Sequence, residues 1–202
     1  IMKKALIIGA TGATGTALTN ELLKDNSFSE VHVFVRTSPK ISHQKLSIRL
    51  VDFNSIDLWK HKLNGDVLFS AMGTTLKVAG SKEAQYKIDV TYQQKVAKAA
   101  AENKVPKLIL VSSIGANHKS IIFYPKIKGL LEQMVKQLSF KCIYILRPPV
   151  LDRGKDKMRT TEKNSIAFIK KLNKIGLLAS QKPMSTKLLA AKMIKLAKIE
   201  ST

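Results

Sequence analysis

The sequence predicts an α/β fold: a doubly wound parallel sheet with helices on both faces. Two patterns point to it. Short apolar runs of strand length alternate with segments whose apolar residues fall at three- and four-residue spacing. Residues of distinctive chemistry gather where the apolar runs end, and open parallel sheets bind ligands at those carboxyl ends.

The first run, Ala5-Leu6-Ile7-Ile8, ends at Gly9 and is followed by Gly12 and Gly15. A continuous apolar run suits a strand buried on both faces. A helical pattern then starts near Ala13 and continues through Leu18, Leu22 and Leu23. Glycines in such a strand–turn–helix allow a tight turn, a close approach of backbone to a pyrophosphate, and close packing of helix on strand. The helix start offers unpaired N–H groups and the positive end of its dipole, to which Thr11 and Thr14 add hydroxyl donors. This stretch reads as a phosphate-binding turn, with a plain glycine-punctuated loop as the alternative.

Val31 to Val35 is the second strand, β-branched in character and running into Arg36-Thr37-Ser38-Pro39-Lys40. A third spans roughly Leu46 to Val51, closed by Asp52 and Phe53, and a fourth Val67 to Ser70, followed by Ala71-Met72-Gly73. A long helix is expected from Ser81 to Asn103, with a break near Asp89 and Pro106 after its end. Lys107 to Val111 is the fifth strand and leads into Ser112 and Ser113. Ile127, Leu130, Leu131, Met134 and Leu138 mark one face of the next helix, and Cys142 to Leu146 is the sixth strand, leaving through Arg147-Pro148-Pro149-Val150. Thr160 or Thr161 caps a helix to about Leu172, and Ser185 or Thr186 caps a last one to about Ile199. In that last helix Leu189, Met193 and Leu196 oppose Lys187, Lys195 and Lys198, which reads as a docked helix with solvated lysines; a helix lying on a membrane is the alternative.

No repeat or linker divides the chain. Residues 2–202 are expected to form one domain, with a dinucleotide-binding core over 2–153 and a short helical segment over 154–202; Met2 reads as the natural start. No apolar run approaches the ~20 residues of a membrane span, and Cys142, the sole cysteine, reads as a core residue. These features point to a cytoplasmic protein. The net charge of +21 suits an anionic partner, but the lysines are scattered and not interleaved with aromatics, so nucleic acid is an unlikely partner and a phosphorylated small molecule a better one. The four histidines are dispersed, so no metal is expected.

The strand ends read as a site. Arg36 lies about twenty residues beyond the last glycine, where dinucleotide folds meet the adenosine ribose. Arginine there pairs with a 2′-phosphate, and no acidic residue stands by to accept from a 2′-hydroxyl, so NADP(H) is preferred to NAD(H). Asp52 and Phe53 are placed to frame the adenine, and Gly73 to let the fourth strand's exit pass close to the cofactor. Tyr124 and Lys128, four apart, share a helix face. An ammonium beside a phenol stabilises the phenolate, and the phenol then exchanges a proton with a carbonyl or alcohol, its oxygen polarised by a serine hydroxyl.

GATGATG at Gly9–Gly15, the serines of VSSIGA and YPKIKG at Tyr124–Gly129 resemble the short-chain dehydrogenase/reductase superfamily in its extended and atypical branches. FSAMGTT, YKIDVTYQQKVAKAA, LVSSIGANHKS, FYPKIKGLLEQ and ILRPPVLDR are similar to the atypical members related to human HIV Tat-interactive protein, whose bacterial relatives are described as epimerase/dehydratase-like. The resemblance covers Lys3 to Arg153 and implies a Rossmann fold with an NADP(H) site. It implies that Gly9, Thr11, Gly12, Ala13, Thr14 and Gly15 hold the pyrophosphate, Arg36 and Thr37 the 2′-phosphate, and that Met72 and Gly73 border the ribose. Tyr124 would be the acid/base, Lys128 would lower its pKa and bond the nicotinamide ribose, and Ser113 or Ser112 would orient the substrate oxygen. Pro148, Val150 and Leu151 would line the nicotinamide pocket, although Pro149 stands where the family pattern has glycine. Pro125 requires Tyr124 to stand in its helix's first turn. The expected function is an oxidoreductase or epimerase-like enzyme acting on a small carbonyl, quinone or sugar-nucleotide-like substrate, as monomer or homodimer. The alternatives are a dinucleotide-sensing regulator with little catalysis, or a basic nucleic-acid binder.

Overall fold

The computed structural model describes residues 2–152 and 183–200. Strands β1 (Lys3–Ile8), β2 (Phe28–Val35), β3 (Leu46–Leu50), β4 (Val67–Ser70), β5 (Lys107–Val111) and β6 (Cys142–Leu146) form one parallel sheet. Its order is β3-β2-β1-β4-β5-β6, as expected of a Rossmann-like fold. Successive side chains of a strand point to opposite faces, so the apolar runs feed two cores. Leu6, Ile8, Leu68, Leu108 and Leu110 pack with Val96, Ala97 and Ala100 of α4 (Tyr92–Glu102) and with Ile127, Leu131 and Val135 of α5 (Phe123–Lys136). Ala5, Ile7, Val33, Phe69 and Ile109 pack on the other side with Leu18 and Leu22 of α1 (Ala13–Lys24), joined by Leu189 and Met193 of α6 (Thr186–Lys198).

The last helix is docked on the protein. Its apolar face meets α1, Lys198 pairs with Asp25 at 2.5 Å, and the buried Lys107 ammonium donates to the Ala197 carbonyl (3.0 Å) and to that of Ile199. Among the described residues no helix is long and apolar enough to cross a membrane. The expected helix from Thr160 or Thr161 to Leu172 lies outside the described residues.

Several elements differ from expectation. β2 begins at Phe28, because the strand continues alongside Lys3 before its apolar run starts. The helix expected over 81–103 is built from α3 (Lys82–Tyr86) and α4, joined by a π-helical turn over Lys87–Thr91. Asp89, where a break was expected, lies in that widened turn and is buried. Between β3 and β4 the chain makes two 3-10 turns, Phe53–Leu58 and Lys60–Lys62, anchored by Trp59, whose indole donates to the Asp52 carbonyl (2.8 Å) and stacks on Phe34. A single-turn α2 (Leu76–Ala79) follows β4.

Strand order reverses between β1 and β4, whose exits lie side by side. Gly9 has φ +82°, and a Cβ on it would come within 2.5 Å of the Ala71 carbonyl carbon and the Met72 nitrogen. Only glycine lets these two exits meet so closely.

Candidate functional site

A cleft runs along the carboxyl ends of the strands at this reversal, in three connected chemical environments. The first is a cavity of about 430 Å³ over β1 and β2, lined by Gly9, Thr11, Gly12, Arg36, Phe53, Met72 and Gly73 among others. Gly12 is the N-cap of α1 and supplies no side-chain cap, and the helix's first intrahelical bond runs from the Thr16 N–H to the Gly12 carbonyl. The amides of Ala13, Thr14 and Gly15 therefore precede the helix's own bonding pattern and carry the positive end of its dipole. A Cβ on Gly15 would lie 2.1 Å from the Gly9 carbonyl oxygen, so this glycine lets α1 sit directly on the turn. Arg36 is exposed at the far end of the same cavity.

The second is a narrow cavity of about 110 Å³ where Gly12, Ala13 and Thr14 face Ser112, Tyr124, Lys128, Asp89 and Leu151. α5 starts at Phe123, so Tyr124 lies in its first turn and Pro125 forfeits an N–H that has no intrahelical partner there. Lys128, one turn on, is buried; its ammonium donates to the Val111 carbonyl at the end of β5 (3.2 Å) and stands 4.0 Å from Asp89 Oδ1. Asp89 Oδ2 accepts from the Thr74 N–H (3.0 Å), whereas its buried Oδ1 has no hydrogen-bond partner among the described residues. Burial pushes Lys128 below the usual ammonium range, with Asp89 and Glu132 opposing; burial likewise raises the Asp89 carboxyl, with Lys128 opposing.

The serines are not equivalent. The Ser112 hydroxyl is buried and donates to Glu132 Oε1 at 2.5 Å. Glu132 is also gripped by Arg147 through Nε (3.0 Å) and an Nη (2.5 Å). Burial would raise the Glu132 carboxyl, but the bonds from Arg147 and Ser112 outweigh it and hold it below the usual range. Ser113 donates to the Ile114 carbonyl (3.2 Å), and with Ser112 it borders the third environment, an outer cleft of about 530 Å³ also lined by Tyr124, Pro148, Pro149, Val150 and Leu151.

Most of the residues singled out from sequence thus meet along one cleft. Gly15 lines none of these cavities and serves helix packing. Thr37 does not line them either. Asp52 turns its carboxylate away to cap the Phe53 turn, accepting from the Asn54 N–H and side chain (both 2.9 Å) and from the Ser55 hydroxyl (3.1 Å). The sequence reading missed Asp89 and Glu132 as parts of the site. Tyr124, Lys128 and Glu132 recur at four-residue spacing on one helix face, a signal that would have found the glutamate. Among the described residues no group of metal-ligating side chains occurs.

Comparison with known proteins decides the family. Residues 9–168 match the profile of the NAD(P)H-binding proteins. The chain belongs to this NAD(P)H-binding family. It is 35% identical over 171 residues to protein FMP52 of Eremothecium gossypii, named as mitochondrial, spanning 83% of this chain and 75% of the relative. The Saccharomyces cerevisiae FMP52 is 35% identical over 164 residues, 79% of this chain and 69% of the relative. A short-chain dehydrogenase family protein from Francisella tularensis superposes with a TM-score of 0.71 at 17% identity, spanning 100% and 93% of the two chains. The Bordetella bronchiseptica enzyme WbmG, solved with NAD and UDP, gives 0.72 at 16%, spanning 99% and 70%. At these identities the two structures attest the fold alone. Both curated relatives carry the FMP52 name and not that of the Tat-interactive proteins. Their names also overturn the cytoplasmic expectation: both are mitochondrial proteins. A lone cysteine separates reducing from oxidising compartments and does not tell one reducing compartment from another.

Proposed function

We propose that the protein is an NADP(H)-dependent oxidoreductase acting on a carbonyl or its alcohol, with Tyr124 as the acid/base. What supports this most is the convergence of the glycine turn, Tyr124 and Lys128 on one cavity at the reversal of strand order. The residues present fit a dinucleotide: an uncapped helix start, glycines that let α1 and the β4 exit close on the turn, and a cavity walled by Phe53 and ended by Arg36. The amides of Ala13 and Thr14 and the hydroxyls of Thr11 and Thr14 would hold the pyrophosphate. Arg36 would take the 2′-phosphate and so select NADP(H), and Lys128 would bond the nicotinamide ribose. A nicotinamide held there would supply hydride exchange with the substrate carbon.

The chain's own part is proton exchange and orientation. Tyr124 gives its phenolic proton to the substrate oxygen in reduction and recovers it in oxidation. The Lys128 ammonium stabilises the phenolate, and Asp89 with the Val111 carbonyl holds that ammonium in place. Ser113 orients the substrate oxygen, since Ser112 already commits its proton to Glu132. Tyr124→Phe is expected to lower turnover at least a hundredfold while leaving NADPH affinity within about twofold. Unchanged turnover would remove Tyr124 from its role.

A further inference from the structure

We infer that the substrate is an uncharged, largely apolar carbonyl compound and not a nucleoside-diphosphate sugar; this rests on the roles given above to Tyr124 and Ser113. The outer cleft is lined by both of those residues. Its apolar walls, which outweigh the polar ones, include Leu76, Ile114, Ile122, Phe123, Pro148 and Val150. Leu76, Ile114 and Ile122 are 45%, 52% and 63% exposed, so large apolar side chains ring the mouth with no cover among the described residues. A hydrocarbon chain is the ligand that gains from burying such surface.

The contrast with the neighbouring cavity sharpens the point. Where phosphates are expected, the chain supplies an uncapped helix start and Arg36. Among the described residues of the outer cleft, Lys82 is the one fully charged side chain, and its ammonium lies over the Phe123 ring, 5.6 Å from the centroid. The start of α2 is already capped by the Thr75 hydroxyl on the Val78 N–H, and Pro125 deprives α5 of one of its first three amides. The remaining donors, among them Thr74, Thr75 and Gln85, are neutral, so a pyrophosphate here would meet one cation and only the proline-depleted start of α5 to balance its charge.

The test is a competition for the uncharged fluorophore N-phenyl-1-naphthylamine, measured without cofactor, using butan-1-ol to octan-1-ol as analogues of the reduced product. The dissociation constants are expected to fall about three- to fourfold per methylene. UDP-glucose at millimolar concentration should displace nothing. Ile114→Asp, at an exposed position that tolerates a charge, should weaken octan-1-ol at least tenfold with an unchanged urea midpoint. A flat alcohol series, displacement by UDP-glucose, absence of dye binding, or indifference to Ile114→Asp would each overturn the assignment. Retained turnover in Tyr124→Phe would instead defeat the proposed mechanism and leave the alcohol series untouched.

Discussion

Replacing Gly9 by alanine separates two costs that the structure assigns to this position. Gly80 shares its positive φ, +87° against +82°, but a Cβ on Gly80 meets nothing within 4 Å. Gly80→Ala therefore measures the strain of a positive φ alone, about 1–2 kcal/mol for an L side chain. At Gly9 the added methyl must also push the Ala71–Met72 backbone from 2.5 Å to at least the 3.0 Å that real Cβ contacts require. Overpacking of that kind adds about 1–3 kcal/mol, so Gly9→Ala should cost about 2–5 kcal/mol in all. With a urea dependence of about 2–3 kcal/mol per molar, the midpoint falls by roughly 1–2 M in Gly9→Ala and by roughly 0.5 M in Gly80→Ala. Because relief of the clash spreads the β1 and β4 exits, NADPH affinity should also drop at least tenfold in Gly9→Ala. Equal midpoints for the two variants would refute the close approach of those exits.

Glu132→Ala leaves the Ser112 hydroxyl and the Arg147 guanidinium without their shared partner, and a loss of about 2–4 kcal/mol in urea unfolding is expected. The folded Glu132 carboxyl titrates below its ordinary value of 4.5, so its contribution is complete above that pH and disappears as pH falls through the lower folded value. The wild type should therefore lose more stability than Glu132→Gln between pH 5 and pH 3. His32 behaves in the same sense for a different reason. Burial, opposed by the Glu30 hydrogen bond at 2.8 Å, lowers its pKa below 6.5, so the unfolded chain takes up the proton first. Stability should fall from pH 7 to pH 5, less steeply in His32→Gln, and the His32 ring should titrate below pH 6.5 by NMR; a midpoint above 6.5 would reverse the sign.

The fold was legible because its determinants are local. Apolar runs such as Ala5–Ile8 and Lys107–Val111 specify strands buried on both faces, and the spacing of Leu18, Leu22, Ile127 and Leu131 specifies the helices that cover them. The glycine turn was legible because a positive φ and a close contact both demand glycine at Gly9. The π-turn over Lys87–Thr91 was less so, since the extra residue it takes in has no composition of its own and shows in sequence only as an interruption near Asp89. Nor could sequence choose between Ser112 and Ser113, because the choice depends on Glu132, twenty residues away and resembling a solvated partner of Lys128 and Lys136. Asp52 shows the converse: an acid at a strand's end suits either a ligand or a turn, and only its bonds to Asn54 and Ser55 assign it to the turn.

Calorimetric titration of NADPH and NADH into the wild type and Arg36→Ala tests the cofactor site most directly. One NADPH per chain is expected, bound at least tenfold more tightly than NADH, as the loss of a charge-assisted pair to the 2′-phosphate implies. Arg36→Ala should erase that difference and leave NADH binding as it was. No heat with either nucleotide, or equal affinities that ignore Arg36, would contradict the account.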